Sequence, residues 1–110
     1  MKAKAKAKKK RTKFVVAWAE YLVSEHKNKV DCGAFHRLYD TADEAHKAIM
    51  ESIRYDAKTY LEEVNDGDSE VKDRDIDEFV GEGLWYNNTR RVKFGMTDIE
   101  YVYEVEEIEV

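Results

Sequence analysis

Cysteine is nearly absent from this 110-residue chain: Cys32 stands alone, so no internal disulfide can form. A lone thiol agrees with a reducing compartment. In that setting the Asn87-Asn88-Thr89 sequon has no meaning as a glycosylation site. Long apolar runs are missing as well. None approaches the ~20 residues that a membrane-spanning helix needs. No apolar segment follows the basic N-terminus as a secretory signal requires. These absences lead us to expect an intracellular, cytoplasmic protein without membrane contact. Recognisable chemistry is the next absence. No metal-ligand spacing, nucleotide fingerprint or set of nucleophile, base and orienter stands out, so no metal, no cofactor and no enzymatic activity are expected.

Acid is missing from one place. Residues 1–13 hold eight lysines and arginines and no aspartate or glutamate, whereas all 24 acidic residues follow. The formal net charge of −5 therefore combines a cationic segment, 1–13, with a strongly acidic body, 14–110. Such polarity points to partners chosen by electrostatics. Charged residues make up 39% of the chain, well above the usual share, while 43% hydrophobic and 12% aromatic content argue for a folded body. The length suits one domain.

Along the chain, residues 1–13 (MKAKAKAKKKRTK) lack apolar periodicity and are expected to form a flexible, disordered arm. Phe14 to Val23 is almost continuously apolar and rich in β-branched and aromatic side chains, the pattern of a central strand. Ser24 to Gly33 reads as a hairpin connection, and Ala34 to Tyr39 as a second strand. Asp40 or Thr41 then caps a long helix with Asp43 and Glu44 in its first turn. Its stripe, Ala42, Ala45, Ile49, Ile53, Ala57, Tyr60 and Val64, steps by three and four up to Asn65-Asp66-Gly67.

Asp66 to Glu78 reads as a charged loop. Phe79-Val80 and Leu84-Trp85-Tyr86, flanking Gly81 and Gly83, suggest a strand with a bulge or kink, and Asn87-Asn88 marks a turn. Val92, Phe94 and Met96 alternate with Arg91, Lys93 and Gly95, and Ile99, Tyr101, Tyr103 and Val105 with Glu100, Val102 and Glu104. A two-residue turn at Thr97-Asp98 would pair Met96 with Ile99, Phe94 with Tyr101 and Val92 with Tyr103, and set Arg91 opposite Glu104. Thr-Asp is not a favoured turn of that length, which leaves room for a longer loop. Beyond Val105 the alternation changes phase, suggesting a bulge near Glu106-Glu107. The expected fold is α+β: one domain with an antiparallel sheet of about five strands in the order β-β-α-β-β-β and one long helix on one face.

Two constellations can carry binding. The first is acidic: Asp66, Asp68, Glu70, Asp73, Asp75, Asp77 and Glu78 in the loop, with Glu100, Glu104, Glu106 and Glu107 along the last strand. A calcium loop starting at Asp73 fails, because its sixth position is Glu78 rather than glycine and its twelfth is Leu84 rather than glutamate. Carboxylates spaced along a surface present a phosphate-like field to a basic protein. In charge and size the chain resembles, in a general way, small acidic proteins of phages and mobile elements that inhibit nucleases and other defence proteins by nucleic-acid mimicry. No motif ties it to a particular family. Acidity that only keeps a small domain soluble is the plainer account.

The second constellation is basic and aromatic: Lys8, Lys9, Lys10, Arg11 and Lys13 in the arm, and Trp85, Tyr86, Arg90, Arg91 and Lys93 around one turn. Cations neutralise phosphates, and exposed aromatics stack on bases. Against this, a tryptophan is more often core than platform, and Arg91 already faces Glu104. Cys32, His36 and Asp40 recur at intervals of four, but in an extended segment that spacing is ~13 Å, too far for a catalytic dyad. His26, His36 and His46 show no ligand spacing. The reading is a non-enzymatic interaction or inhibitor module whose acidic surface binds a basic protein, a nuclease or other nucleic-acid-processing enzyme among the candidates. A small nucleic-acid-binding protein that uses the arm is the alternative. An open sheet edge would also permit a homodimer.

Overall fold

The apolar run that begins at Phe14 becomes the centre of a five-stranded sheet, because a strand apolar on both sides is best placed with neighbours on both edges. The computed structural model describes residues 11–23, 28–65 and 70–110. Among them, β1 (Thr12–Leu22) and β2 (Asn28–Ala34) precede α1 (Ala42–Asn65) and α2 (Asp73–Gly83). Then come β3 (Leu84–Asn88), β4 (Arg91–Met96) and β5 (Ile99–Glu109). The sheet runs β2-β1-β5-β4-β3, and every neighbouring pair is antiparallel. The architecture is α+β, as the sequence pattern implied.

Both helices cover the same face of the sheet. α1 packs on β1, β4 and β5, and α2 on β3, β4 and α1. On α1 the buried positions are Ala45, Ile49, Ile53 and Ala57, all fully buried and four residues apart. They meet Val16, Val92, Phe94, Tyr103 and Val105 of the sheet. Each buried isoleucine contributes about 1.5–3 kcal/mol by leaving water. Val64, expected on this stripe, is instead exposed. The start of α1 is fixed reciprocally: the Glu44 N–H donates to Thr41 Oγ1 at 3.1 Å, and the Asp40 N–H to Glu44 Oε2 at 3.2 Å.

The β4–β5 hairpin has the expected register, with Met96 opposite Ile99, Phe94 opposite Tyr101, Val92 opposite Tyr103 and Arg91 opposite Glu104. Its loop is the two-residue Thr97-Asp98, and Thr97 takes a left-handed φ of 49° that such a turn requires. The preceding hairpin turns at Thr89-Arg90, two residues beyond the expected Asn87-Asn88. Asn88 still governs it, since its Oδ1 accepts from the Arg90 and Arg91 N–H groups at 3.0 and 2.8 Å.

Several expectations are corrected. Asp73 to Gly83 is a helix, not the end of a charged loop running into a kinked strand. Ile76, Phe79 and Val80 supply its buried face, and the Lys72 N–H donates to the Asp75 carboxylate at 3.0 Å to start it. Phe79 stacks on Tyr60 with centroids 5.2 Å apart and meets Phe94 edge-on at 6.3 Å, fastening α2 to α1 and β4. The second strand lies earlier than expected, at Asn28–Ala34. Of the segment assigned to it, Ala34 ends β2 opposite Ala17, and Tyr39 regains β pairing through reciprocal 2.8 Å bonds with Phe14. No bulge interrupts β5, whose pairing with β1 is unbroken from Thr12↔Glu109 to Leu22↔Ile99. That ladder also draws Thr12 and Lys13 out of the expected arm and into β1. Residues 1–10 lie outside the described residues.

Candidate functional site

Alternation along β1 turns Phe14, Val16, Trp18 and Glu20 toward the helices. Glu20 is therefore an acid in the inward phase of the central strand, opposite Tyr101 of β5, while Trp18 lies opposite Tyr103. One helical turn beyond Ser52, Asp56 comes down from α1 onto the same spot. Trp18, Glu20, Phe35, Ser52, Asp56, Tyr101 and Tyr103 line an open cleft of about 310 Å³ between sheet and helix. Its charges are carboxylates, and neither a lysine nor an arginine lines it.

The electrostatics follow from that arrangement. Burial and then the nearby Glu20 charge hold the Asp56 carboxyl above its ordinary range. Burial, the charges of Glu20 and Asp56, and a hydrogen bond to Glu20 push the Tyr101 hydroxyl up to about 12. Tyr103, deeper in, is raised by burial and Asp56, against a hydrogen bond with Ser52 that acts the other way. The cleft concentrates negative charge against four aromatic side chains.

A second concavity lies on the other side of α1. Leu61 and Asn65 are half a helical turn around the axis from Ser52 and Asp56. With Val71, Asp75, Glu78, Phe79 and Glu82 they line a groove of about 410 Å³ between α1 and α2. Its floor is apolar, its rim carries three carboxylates, and again no lysine or arginine lines it. The last turn of α1 contains no basic residue either, so the negative end of the helix dipole adds to the same field.

No known protein family, curated protein or solved structure matches the chain.

The acidic residues singled out in the sequence are not one surface. Asp66 and Asp68 lie outside the described residues. Glu70 and Glu78 are exposed. Asp73 and Asp77 face Arg54 of α1, the former at 3.8 Å from Nη2 and the latter in direct contact with Nη1, so both are engaged within the fold. Asp75 caps α2. Register puts Glu100, Glu104 and Glu106 on the sheet face away from the helices. There Glu100 is only 8% exposed and lies 3.4 Å from Lys93, and Glu104 stands opposite Arg91. Glu107, on the helix-side phase, pairs with Arg90 at 3.4 Å. Glu78 and the cap residue Asp75 thus meet in the groove, joined by Glu82, which the spacing within a presumed strand concealed.

Of the basic set, Lys8, Lys9 and Lys10 lie outside the described residues. Arg11 is exposed and its carbonyl accepts from the Val110 N–H at 2.9 Å. Lys13 contacts Asp40, and Arg90 lies over the Phe14 ring at 5.0 Å. The aromatic pair behaves unlike a core element: Trp85 is 74% exposed and Tyr86 49%. The expected bulge exists, but at Trp85, where the β3–β4 register slips between Leu84↔Phe94 and Tyr86↔Lys93. That slip puts two consecutive aromatics on the face of Arg91 and Lys93, with the Trp85 indole seated over Gly95.

Catalytic and metal readings gain nothing. Cys32 and His36 are both exposed, and no hydrogen bond joins them, while Asp40 is taken by Lys13. His46 Nε2 lies 2.6 Å from Asn87 Oδ1, tying α1 to β3, and His26 lies outside the described residues. Among the described residues no group of three or more His, Cys, Asp or Glu side chains is placed to hold a metal ion. No helix there is long and apolar enough to cross a membrane.

Proposed function

We propose that this protein is a non-enzymatic interaction module that binds a basic protein through its helical layer, in the manner of an inhibitor that imitates nucleic acid. The observation that carries this reading is the α1–α2 groove, which combines an apolar floor of Leu61, Val71 and Phe79 with a rim of Asp75, Glu78 and Glu82. A floor of that kind supplies burial, and a rim of one sign selects a basic amphipathic segment and speeds its approach. Nuclease-type surfaces made to hold phosphates belong to that class of partner. Isolation from nuclease-treated lysate tests the proposal. Wild type and a chain lacking residues 1–10 should recover the same basic protein, and Glu78→Lys/Glu82→Lys should recover at least tenfold less. Undiminished recovery by the charge-reversed variant overturns the groove as the contact.

A nucleic-acid reading is favoured by one observation, the exposed Trp85–Tyr86 pair beside Arg91 and Lys93. Base stacking on such a pair is worth about 1–3 kcal/mol per base. On this reading Trp85→Ala weakens binding to a single-stranded oligonucleotide by at least fivefold, and affinity falls steeply with salt. A flat salt response excludes it.

A further inference from the structure

The cleft under α1 has features that a protein-docking groove does not need. Its wall is aromatic: Trp18 and Tyr103 are cross-strand neighbours, Tyr101 lies 6.2 Å from Tyr103 between ring centroids, and Phe35 meets Tyr103 edge-on at 6.2 Å. Two carboxylates, Glu20 from β1 and Asp56 from α1, reach the same space. Folding has brought these acids close together although no cation of the described residues lines the cleft, an arrangement that costs stability and calls for an external positive charge. A metal ion is a poor match. Hard divalent cations take six or more oxygen ligands, and two carboxylates framed by rings do not supply them. A cation that carries its charge on carbon-bearing groups fits both walls at once, because aromatic faces attract cations and tolerate their apolar surface. The volume, about 310 Å³, is at the small end of ligand sites.

We infer that this cleft is a binding site for an organic ammonium group, held between the Glu20 and Asp56 carboxylates and the rings of Trp18, Phe35, Tyr101 and Tyr103. It lies across α1 from the interhelical groove and stands independently of the function proposed for that groove. Register sets Glu20 directly opposite Tyr101, so its carboxylate shares the cleft with the rings. The titratable groups that face the site are Glu20 on β1, Asp56 on α1, and Tyr101 and Tyr103 on β5. Since both tyrosines stay protonated through neutral pH, affinity rises as Asp56 gives up its proton.

The ammonium can come from a free alkylamine or from a lysine side chain, including those of residues 1–10. The test uses the full chain carrying Trp85→Phe, so that Trp18 is the sole indole reporter. Tetramethylammonium chloride and Nα-acetyl-lysine methylamide are titrated at constant ionic strength, against sodium chloride and the neutral 3,3-dimethylbutan-1-ol. Saturable quenching by the two ammonium probes is expected, with a dissociation constant on the order of 1 mM, and none by sodium or the alcohol. Glu20→Gln/Asp56→Asn should weaken it at least tenfold. Asp56→Asn alone, in which folding is favoured, should weaken it about threefold. An equal response to the alcohol, or an undiminished affinity in the folded double variant, overturns the site. Tighter binding after removal of residues 1–10 supports it and makes the chain's own lysines the competing occupant. Unchanged binding supports it and leaves the site to another molecule.

Discussion

Asp56 shows how one side chain couples the cleft to stability. Its carboxyl is held above the usual range, first by burial and then by Glu20. A group whose pKa is raised in the folded state adds stability below its unfolded value and loses it as pH climbs through the folded value. At neutral pH the ionised Asp56 therefore works against folding. Asp56→Asn should melt a few degrees above wild type at pH 7, and the advantage should be smaller at pH 4, because protonation removes the charge that burial and Glu20 penalise. Calorimetry at the two pH values checks this. A constant offset would mean that the aspartate matters for its shape and not for its charge. Nothing in the local sequence announces the role, because Glu20 and Asp56 are thirty-six positions apart and only the packing of α1 across the sheet brings them to one cleft. The available signal was an acid in the inward phase of an otherwise apolar strand.

At the scale of elements, α2 sorts its two glycines sharply. A methyl group built on Gly83 would stand 2.5 Å from Phe94 Cε1 and 2.6 Å from the Gly95 carbonyl oxygen, whereas one on Gly81 meets nothing within 4 Å. Phe94 is fully packed and the carbonyl belongs to a strand, so neither can yield. Gly83→Ala should cost about 1–3 kcal/mol. Gly81→Ala should add about 0.5–1 kcal/mol, since alanine loses less freedom in a helix. Denaturant midpoints read both, and equal effects would show that α2 is not seated as described. The same glycines explain why the sequence suggested a kinked strand here. Gly81 and Gly83 masked the Ile76-Phe79-Val80 spacing that marks a helical face. The β4–β5 hairpin was legible because each strand buries one face, leaving an alternation that fixes register. β2 was not, because an edge strand with every described side chain exposed is held by its backbone pairing, which leaves no hydrophobic pattern in Asn28 to Ala34.

Over the whole molecule, charge is divided by layer, which neither composition nor the run of acids along the chain reveals. Among residues 42–65 and 70–83, twelve acids stand against five bases, whereas on the outer face of the sheet Lys13, Arg91 and Lys93 offset Glu100, Glu104 and Glu106. Arg54 alone serves two of the α2 aspartates. Self-repulsion is therefore concentrated in the helices, where it opposes their approach and holds the α1–α2 groove negative. Screening should relieve it, since the Debye length falls from about 30 Å at 0.01 M salt to about 8 Å at 0.15 M. The ion pairs of Arg54, Arg90 and Lys93 weaken with salt and pull the other way. They are partly exposed, and such pairs contribute roughly 0–1 kcal/mol each. The excess of acid should decide the sign: the melting temperature is expected to rise by a few degrees across that range. The rise should be smaller in Glu78→Lys/Glu82→Lys, whose helical layer is four charges less negative. A melting temperature that falls with salt would mean the ion pairs outweigh the repulsion. The groove's negative field would then be too weak to select a basic partner.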